Sequence, residues 1–218
     1  MTTEFKVDVQ GNTPNKPIVA QFAKAPEIGK VKTRMRAVLS PQQCVDLHKR
    51  LVAKVFTTVA SADNYIHQLW VSSDHPFFHS LMDENKHTCR ASLHYQPSGD
   101  LGVRLTAALK EGEAQGRVAV VIGSDCITLT PSYIESALAL LKQQPELNTV
   151  IGPAFDGGFV LLAIKQGHEA LFEGIEWGTE RVLDQLIHNI ELLGFKYRSL
   201  EPLHDIDRPE DLSLAESI

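Results

Sequence analysis

The residues best suited to chemistry begin in a basic segment that directly follows a predicted buried strand, Ile18–Ala23. Segment 24–36 holds a single acidic residue, Glu27, and five basic residues: Lys24, Lys30, Lys32, Arg34 and Arg36. Ligands of α/β proteins bind beyond the carboxyl ends of strands, where this segment would lie. Lysine offers a point charge to phosphate, arginine can engage two phosphate oxygens, and Gly29 would let the backbone approach closely. The pattern favours a phosphate-binding loop, with a solvated basic loop as the alternative. It is neither a P-loop nor a G-x-G-x-x-G motif.

A carboxylate stands at the end of a second apolar strand. The run Val118–Gly123 leads into Ser124 and Asp125, before a turn and a helix start. In nucleotide sites Mg²⁺ is typically held by one or two carboxylates together with substrate phosphates. We therefore expect Asp125 to bind a divalent metal, with Gly123 beside the phosphates. The alternative is that Asp125 serves only local turn and capping hydrogen bonds.

Two more acidic motifs lie later in the chain. Asp156-Gly157-Gly158 separates two β-like runs and can form a hairpin turn, whose glycines would also let a sugar or phosphate lie against the backbone. Asp205 and Asp207 share a face if this stretch is extended. Crowded carboxylates repel each other unless a cation lies between them, so either residue is a candidate second metal ligand. For Asp207, capping of the helix that follows is the alternative.

Weaker signals complete the candidate site. Gly99 and Asp100 form a turn that opens a helix, and its backbone amides could contact a base or a phosphate; an ordinary helix start explains the turn equally well. Trp177 could form a lid or a wall of an acceptor site, or it could pack in the core. Cys126 is expected to be a small buried residue and not a nucleophile. The histidines predict no zinc site.

Short β-rich runs alternate with longer helical patterns, which is typical of an α/β fold with a mostly parallel sheet between two helical layers. Strands are predicted at Ile18–Ala23, Ile66–Ser72, Leu93–Gln96, Val118–Gly123, Thr149–Gly152, Phe159–Ile164 and Lys196–Leu200. The first helix is predicted to begin at Ser40 with a capping box. Later helices are predicted at Phe77–Asn85, Leu101–Gln115, Pro131–Gln143, Thr179–Leu193 and Pro209–Glu216.

Composition limits the classes of protein to which the chain can belong. Of 218 residues, 43% are hydrophobic and 22% charged, which excludes a disordered chain or a coiled coil. The net charge of −6 argues against general nucleic-acid binding, and no apolar run is long enough to span a membrane. Three widely spaced cysteines form no disulfide framework and suit a reducing cytoplasm. We expect a polar leader at residues 1–16, which is not a signal peptide, and one domain at residues 17–218. The oligomeric state stays open.

Six motifs between residues 20 and 212 together resemble a known family. In order they are AKAPEIGKVKTR, GDLGVRL, GSDCITLTP, GPAFDGGFVLL, EWGTERVL and DIDRPEDL. They resemble the bacterial rSAM/selenodomain-associated transferase type 1 family. That family is similar to nucleotide-diphospho-sugar transferases of the glycosyltransferase-A fold, and more distantly to the guanylyltransferases for phospholactate and molybdenum cofactor. The resemblance implies this fold and a nucleotide-binding transferase domain.

The resemblance also implies roles for particular residues. The phosphate-loop bases match Lys24, Lys32 and Arg34, the metal aspartate matches Asp125, the substrate-side motif matches Asp156-Gly157-Gly158, and the late acidic motif, with a second metal contact, matches Asp205 and Asp207. Two positions depart from the family pattern. Ile127 stands where proline is usual, which alters turn stiffness, and Phe159 replaces the usual tyrosine, which removes a hydroxyl that could have touched substrate.

Three functions are consistent with these residues. The leading one is nucleotidyl transfer from a nucleoside triphosphate to a small phosphorylated or hydroxyl acceptor, because five basic residues suit a triphosphate; Mg²⁺ or Mn²⁺ would assist. Its rival is glycosyl transfer from a nucleotide-diphospho-sugar, with Asp156 orienting or activating the acceptor. A nucleotide-binding module without catalysis is the third. In either enzyme Lys24, Asp125 and Asp156 are the expected catalytic residues.

Overall fold

The most apolar segments of the chain form the middle of one seven-stranded sheet in the computed structural model, which describes residues 16–87 and 90–217. The strands are β1 (Ile18–Ala23), β2 (Ile66–Val71), β3 (Ser92–Tyr95), β4 (Ala119–Ile122), β5 (Leu147–Pro153), β6 (Phe159–Ile164) and β7 (Lys196–Ser199). Their order across the sheet is β3-β2-β1-β4-β6-β5-β7. The central strands β1 and β4 are buried on both faces, which explains their unbroken apolar sequence.

The sheet is parallel except at β6. Strands β1, β2, β3 and β4 pair in parallel, and so do β5 and β7, whereas β6 runs antiparallel to both of its neighbours, β4 and β5. The predicted hairpin between β5 and β6 is therefore present. One consequence is that the ends of β1, β4, β5 and β7 and the start of β6 lie at the same edge of the sheet, which we call the carboxyl edge. Every predicted site segment adjoins this edge or the helix that follows β3.

Helices cover both faces of the sheet. Each central strand contacts both helical layers, because neighbouring residues of a strand point in opposite directions. The helices are α1 (Pro41–Ala60), α2 (Pro76–Asn85), α3 (Leu101–Ala114), α4 (Pro131–Gln143) and α5 (Val182–Leu192). Val19 and Val120 pack with α1 and α4 on one face. The next residues, Ala20 and Val121, pack with α3 and α5 on the other. This arrangement confirms the predicted α/β fold with a mostly parallel sheet.

Two predicted helices differ in the structure. Helix α5 begins at Val182 and not at Thr179, because the Thr179 hydroxyl donates to the Glu176 carbonyl at 2.8 Å and closes a turn ahead of the helix. The segment Pro209–Ser217 is a 3₁₀ helix, like the shorter Thr33–Ala37 and Glu169–Phe172. The capping box at Ser40 is formed as predicted. The leader predicted at residues 1–16 lies, but for its last residue, outside the described residues.

Within the described part of the chain, no helix has both the length and the apolar character needed to cross a bilayer.

Candidate active site

The centre of the candidate site is Lys32, in the loop of residues 24–36 that we call the basic loop. Its ammonium lies 2.9 Å from Asp125 Oδ2 and 3.6 Å from Asp207 Oδ1, and its side chain is only 5% exposed. The backbone of Lys32 is left-handed, with φ 47° and ψ 40°, and it is the only non-glycine residue in the described chain with positive φ. Strained backbone of this kind persists only where its surroundings enforce it, and it is concentrated at functional sites.

Arg34 joins the basic loop to two other segments. One guanidinium nitrogen donates to Asp207 Oδ2 at 2.6 Å and another donates to the Gly178 carbonyl at 2.8 Å. The carboxylate of Asp207 is thus held between Lys32 and Arg34 and does not cap the following 3₁₀ helix. The Asp211 carboxylate instead accepts from the backbone amides of Asp207 and Arg208, at 3.0 and 2.7 Å.

Asp125 follows β4 at the carboxyl edge and meets the tail of the chain there. Its carbonyl accepts a hydrogen bond from the amide of Ile206 at 3.0 Å, and Ile206 itself is buried against Met35 of the basic loop. Burial opposes ionisation of Asp125, but the Lys32 ammonium outweighs burial and holds the pKa of Asp125 below its usual value. A Cβ at Gly123 would lie 2.9 Å from Asp125 Oδ1, so a glycine at that position gives the carboxylate its space.

Asp205 brings a third carboxyl group to the same place. Burial, followed by the negative charges of Asp125 and Asp156, raises the pKa of Asp205 to about 7. Asp205 lines one polar cleft together with Asp156 and Asp207. We call Asp125, Asp156, Asp205 and Asp207 the acidic cluster.

Asp156 lies in the tight turn between β5 and β6. Its Oδ1 accepts from the amide of Gly158 at 2.9 Å, which leaves the other oxygen of an exposed carboxylate facing solvent or ligand. Gly157 has φ 87°, and a Cβ there would lie 2.1 Å from the Glu180 carbonyl oxygen. The Gly157 carbonyl in turn accepts from the amide of Leu183 at 2.9 Å. These glycines therefore allow the turn to pack against the start of α5.

Lys24 and Gly29 are exposed parts of the basic loop, whereas Lys30 pairs with Glu27 at 2.6 Å. The start of α3 is a conventional helix start, because Asp100 Oδ1 accepts from the amide of Val103 at 2.9 Å, and Gly99 precedes it with φ 131°. Asp100 is therefore engaged as a cap, the alternative that the sequence left open.

A buried histidine, His48 of α1, supports the basic loop and was missed by sequence reasoning. It is 7% exposed, and its Nε2 donates to the carbonyl of Lys24 at 2.8 Å. Burial lowers the pKa of His48, with a smaller effect of the nearby Lys32 charge in the same direction. Its helical spacing to Val52 and Val55 places it on the buried face of α1 and was the signal available in the sequence.

A second missed feature is a chain of buried polar side chains beneath Asp125. Gln21 donates to the Val52 carbonyl at 3.1 Å and to Ser124 Oγ at 3.0 Å, and Ser124 donates to the Phe22 carbonyl at 2.7 Å. His67 Nε2 donates to Gln21 Oε1 at 3.1 Å. His67 Nδ1 has no hydrogen-bond partner among the described residues, but the other bonds of this network hold the backbone of Ser124, the residue before Asp125, in one arrangement.

The acidic cluster has the right kind of ligand for Mg²⁺ or Mn²⁺, both of which prefer carboxylate oxygen. Asp125 and Asp207 nevertheless bind Lys32 and Arg34, and no group of three or more potential ligand side chains in the described residues is arranged to hold an ion. The Lys32 ammonium lies between Asp125 and Asp207, where a metal shared by these two residues would have to lie. The carboxylates of the acidic cluster are suitable ligands for a divalent metal, and Asp125 and Asp207 could share one after the Lys32 ammonium moved away from them.

A pocket of about 210 Å³ adjoins this cluster on the α3 and α5 side of the sheet. Asp156, Gly123, Gly158 and Trp177 are among its lining residues. The rings of Trp177 and Phe172 lie 6.0 Å apart, and the buried indole Nε1 of Trp177 has no hydrogen-bond partner among the described residues. Trp177 therefore packs against the core and also lines the pocket, and its role as a wall of an acceptor site stays a prediction.

Comparison with known proteins gives a family and a fold. The family DUF2064, described as an uncharacterized protein conserved in bacteria, matches residues 56–179, more than half of the chain. A comparison with curated proteins found no match. The name rSAM/selenodomain-associated transferase is thus not itself confirmed.

Three solved structures of similar fold illustrate the range of relatives. A candidate nucleotide-diphospho-sugar transferase from Desulfovibrio desulfuricans G20 has a TM-score of 0.76 at 24% identity, covering 89% of this chain and 83% of that one. A cytidylyltransferase from Leptospira borgpetersenii has a TM-score of 0.60 at 13% identity, covering 93% and 86%. Glucosyl-3-phosphoglycerate synthase from Mycobacterium tuberculosis, in complex with Mn²⁺, UDP and glucosyl-3-phosphoglycerate, has a TM-score of 0.55 at 12% identity, covering 93% and 76%. At these identities the likeness shows the glycosyltransferase-A-like fold alone.

Proposed function

The chain belongs to the DUF2064 family, and we propose that it is a transferase that binds the phosphates of a nucleotide on its basic loop. The observation that carries the proposal is the buried Lys32 ammonium, which lies between Asp125 and Asp207 at the carboxyl edge. The backbone of the same residue is strained, with a positive φ. A positive charge poised beside carboxylates is suited to a ligand that combines phosphate with a divalent cation.

The ion pairs of the basic loop favour a nucleotide-diphospho-sugar over a triphosphate. Lys30 is paired with Glu27, and Lys32 and Arg34 are paired with the acidic cluster. Among the described residues this leaves Lys24 and Arg36 as the loop cations with no ion pair. The charge argument for a triphosphate, which counted five basic residues, is weakened accordingly, and a diphosphate carries less negative charge. The transferred group in this proposal is therefore a sugar.

In this mechanism an acceptor hydroxyl attacks the anomeric carbon of the sugar while the bond from that carbon to the diphosphate breaks. Asp156 receives the hydroxyl proton, since its carboxylate is exposed and has one oxygen outside the turn hydrogen bond. Lys32 and Arg34 stabilise the departing diphosphate by exchanging their ion pairs with Asp125 and Asp207 for phosphate oxygens. A divalent metal held by Asp125 with Asp205 or Asp207 would supply further positive charge to the same oxygens.

Nucleotidyl transfer is the second candidate, favoured by the basic loop itself, which lies where the β- and γ-phosphates of a triphosphate could bind. In that reaction an acceptor oxygen attacks the α-phosphate and pyrophosphate leaves. Both reactions share the loop, the metal ligands and the position of the acceptor, so the nucleotide that binds distinguishes them.

The test is a thermal-shift screen with nucleoside triphosphates and nucleotide sugars, each with Mg²⁺ or Mn²⁺, on the wild type and the Asp125→Asn variant. We expect stabilisation by nucleotide sugars that depends on the metal and is lost in the variant. Stabilisation by triphosphates alone would instead refute the nucleotide-sugar proposal and favour nucleotidyl transfer. Metal-independent binding that survives the substitution, with no turnover of any acceptor, would leave a non-catalytic nucleotide-binding module.

A further inference from the structure

The pocket of about 210 Å³ differs in chemistry from the rest of the site. It lies between the starts of α3, β6 and α5, and its walls are mostly aliphatic or aromatic: Phe22, Leu105, Val121, Phe159, Trp177 and Val182. Among the described residues, no lysine, arginine or histidine lines it, so the pocket walls themselves offer no cationic side chain to a phosphate. Its only charged lining residue is Asp156.

Asp156 connects the pocket to the acidic cluster, because it also lines the neighbouring polar cleft with Asp205 and Asp207. A molecule in the pocket would therefore place one end beside the carboxylate proposed to receive a proton. Asp156 makes no ion pair in the described residues, whereas the nearby Arg34 and Arg181 pair with Asp207 and Glu176. An anion at this end of the pocket would lose its water and meet the like charge of Asp156, so the pocket favours an occupant that is uncharged at this end.

The volume limits the size of the occupant. An apolar cavity of about 150 Å³ engineered into another protein stays dry and binds benzene. A pocket of about 210 Å³ thus has room for one ring and a few further atoms. The walls favour an apolar ring over a nucleobase, whose edge carries several polar groups, because few side chains of the lining can hydrogen-bond to it. These are the Asp156 carboxylate, the Thr179 hydroxyl, which already donates to the Glu176 carbonyl, and the indole Nε1 of Trp177, which has no partner among the described residues.

We propose that this pocket binds the acceptor, and that the acceptor is an uncharged molecule with a ring-sized apolar portion and a hydroxyl group directed at Asp156. The inference rests on the proposed function, since it assigns the acceptor of that reaction. It also narrows the sequence prediction, which allowed a phosphorylated acceptor.

The test uses two fluorinated probes of similar size, the neutral 4-fluorophenol and the anionic 4-fluorobenzoate, observed by ¹⁹F NMR line broadening on the whole chain. We expect 4-fluorophenol to bind at millimolar concentration and 4-fluorobenzoate to bind at least about tenfold more weakly. Val182→Phe, which adds a ring to the pocket wall, should weaken 4-fluorophenol binding by about tenfold or more. Val103→Phe is the matched control, because Val103 is 50% exposed and lines a different cleft.

Four results would overturn the inference: no binding of 4-fluorophenol, equal binding of the two probes, unchanged binding by a folded Val182→Phe variant, or displacement of 4-fluorophenol by nucleosides. The last result would make the pocket a nucleobase site. The comparison of the two probes on the wild type needs no variant, so the inference stays testable if Val182→Phe fails to fold. Failure of nucleotide binding in the thermal-shift screen would refute the proposed function and leave the probe result unaffected.

Discussion

Replacing Lys32 by methionine should have opposite effects on metal and on nucleotide. Methionine keeps a long side chain for the buried space but removes the ammonium that lies 2.9 Å from Asp125 and 3.6 Å from Asp207. At an effective dielectric constant of about 20, Coulomb's law assigns roughly 6 and 5 kcal/mol to these two gross attractions, before desolvation is subtracted. A metal that binds between the same carboxylates must first displace the ammonium, which breaks both of these attractions.

The net effect is smaller, because burial of the ammonium opposes the attraction. A hydrogen bond to a charged group contributes about 1.5–3 kcal/mol net, which corresponds to roughly tenfold to hundredfold in an equilibrium constant. We therefore expect Lys32→Met to bind Mn²⁺ in the absence of nucleotide about tenfold to hundredfold more tightly than the wild type. Nucleotide affinity should fall by a similar factor, because one phosphate contact is lost.

The assay is a Mn²⁺ titration followed by electron paramagnetic resonance, with and without a nucleoside diphosphate. Lys30→Met is the control, since Lys30 belongs to the same loop but is 71% exposed and pairs with Glu27. It should change neither affinity by more than about twofold, as expected for a surface ion pair. If Lys32→Met binds Mn²⁺ no better than the wild type, the ammonium does not compete with a metal, and the account of the acidic cluster is wrong.

Three further predictions concern stability. The pKa of Asp205 is raised to about 7 in the folded state, so the folded chain binds more protons than the unfolded chain between about pH 4 and 7. The free energy of unfolding should therefore fall as pH rises through that window. Asp205→Asn should remove about 1–2 kcal/mol of this loss, a figure discounted for solvent screening, as measured by urea unfolding at pH 5 and pH 8 with a chelator present. His48→Leu deletes the hydrogen bond to the basic loop, so it should lower the free energy of unfolding in urea by about 1 kcal/mol and weaken nucleotide binding. Unchanged nucleotide binding would show that the loop does not depend on this hydrogen bond. Gly157→Ala places a Cβ against the Glu180 carbonyl and should lower the free energy of unfolding by more than about 3 kcal/mol. The control is Gly174→Ala, which should cost about 1 kcal/mol, because φ is 70° there but no atom lies within 4 Å of the added Cβ. Equal losses in the two variants would mean that the turn moves freely away from α5.

The secondary structure was predictable because its signals are local. Apolar runs located all seven strands to within two residues at either end, and the Ser40 capping box located the start of α1. The late start of α5 was not predictable from helical periodicity, because a competing side-chain hydrogen bond from Thr179 decided it. The antiparallel direction of β6 follows from the short turn before it, which is too short for a crossover to a parallel strand.

The candidate site was predictable only as a set of residue types next to strand ends. Sequence alone determined that Lys32, Arg34, Asp125 and Asp207 follow or adjoin elements of an α/β sheet, and such positions converge at one edge. It could not show that Lys32 is buried against Asp125 or that Arg34 pairs with Asp207, because these contacts join residues 93 and 173 positions apart in the chain.

Tertiary structure alone decided which charges are neutralised and which pocket lies beside them. Of the five basic residues that on sequence alone favoured a triphosphate, three form ion pairs. The apolar pocket is assembled from residues of β1, α3, β4, β6 and α5, and the sequence of no single one of these elements predicts it. The physical reason is that burial and ion pairing depend on the distance between side chains in space. Sequence patterning specifies the face of each helix or strand, but not the neighbour that this face meets.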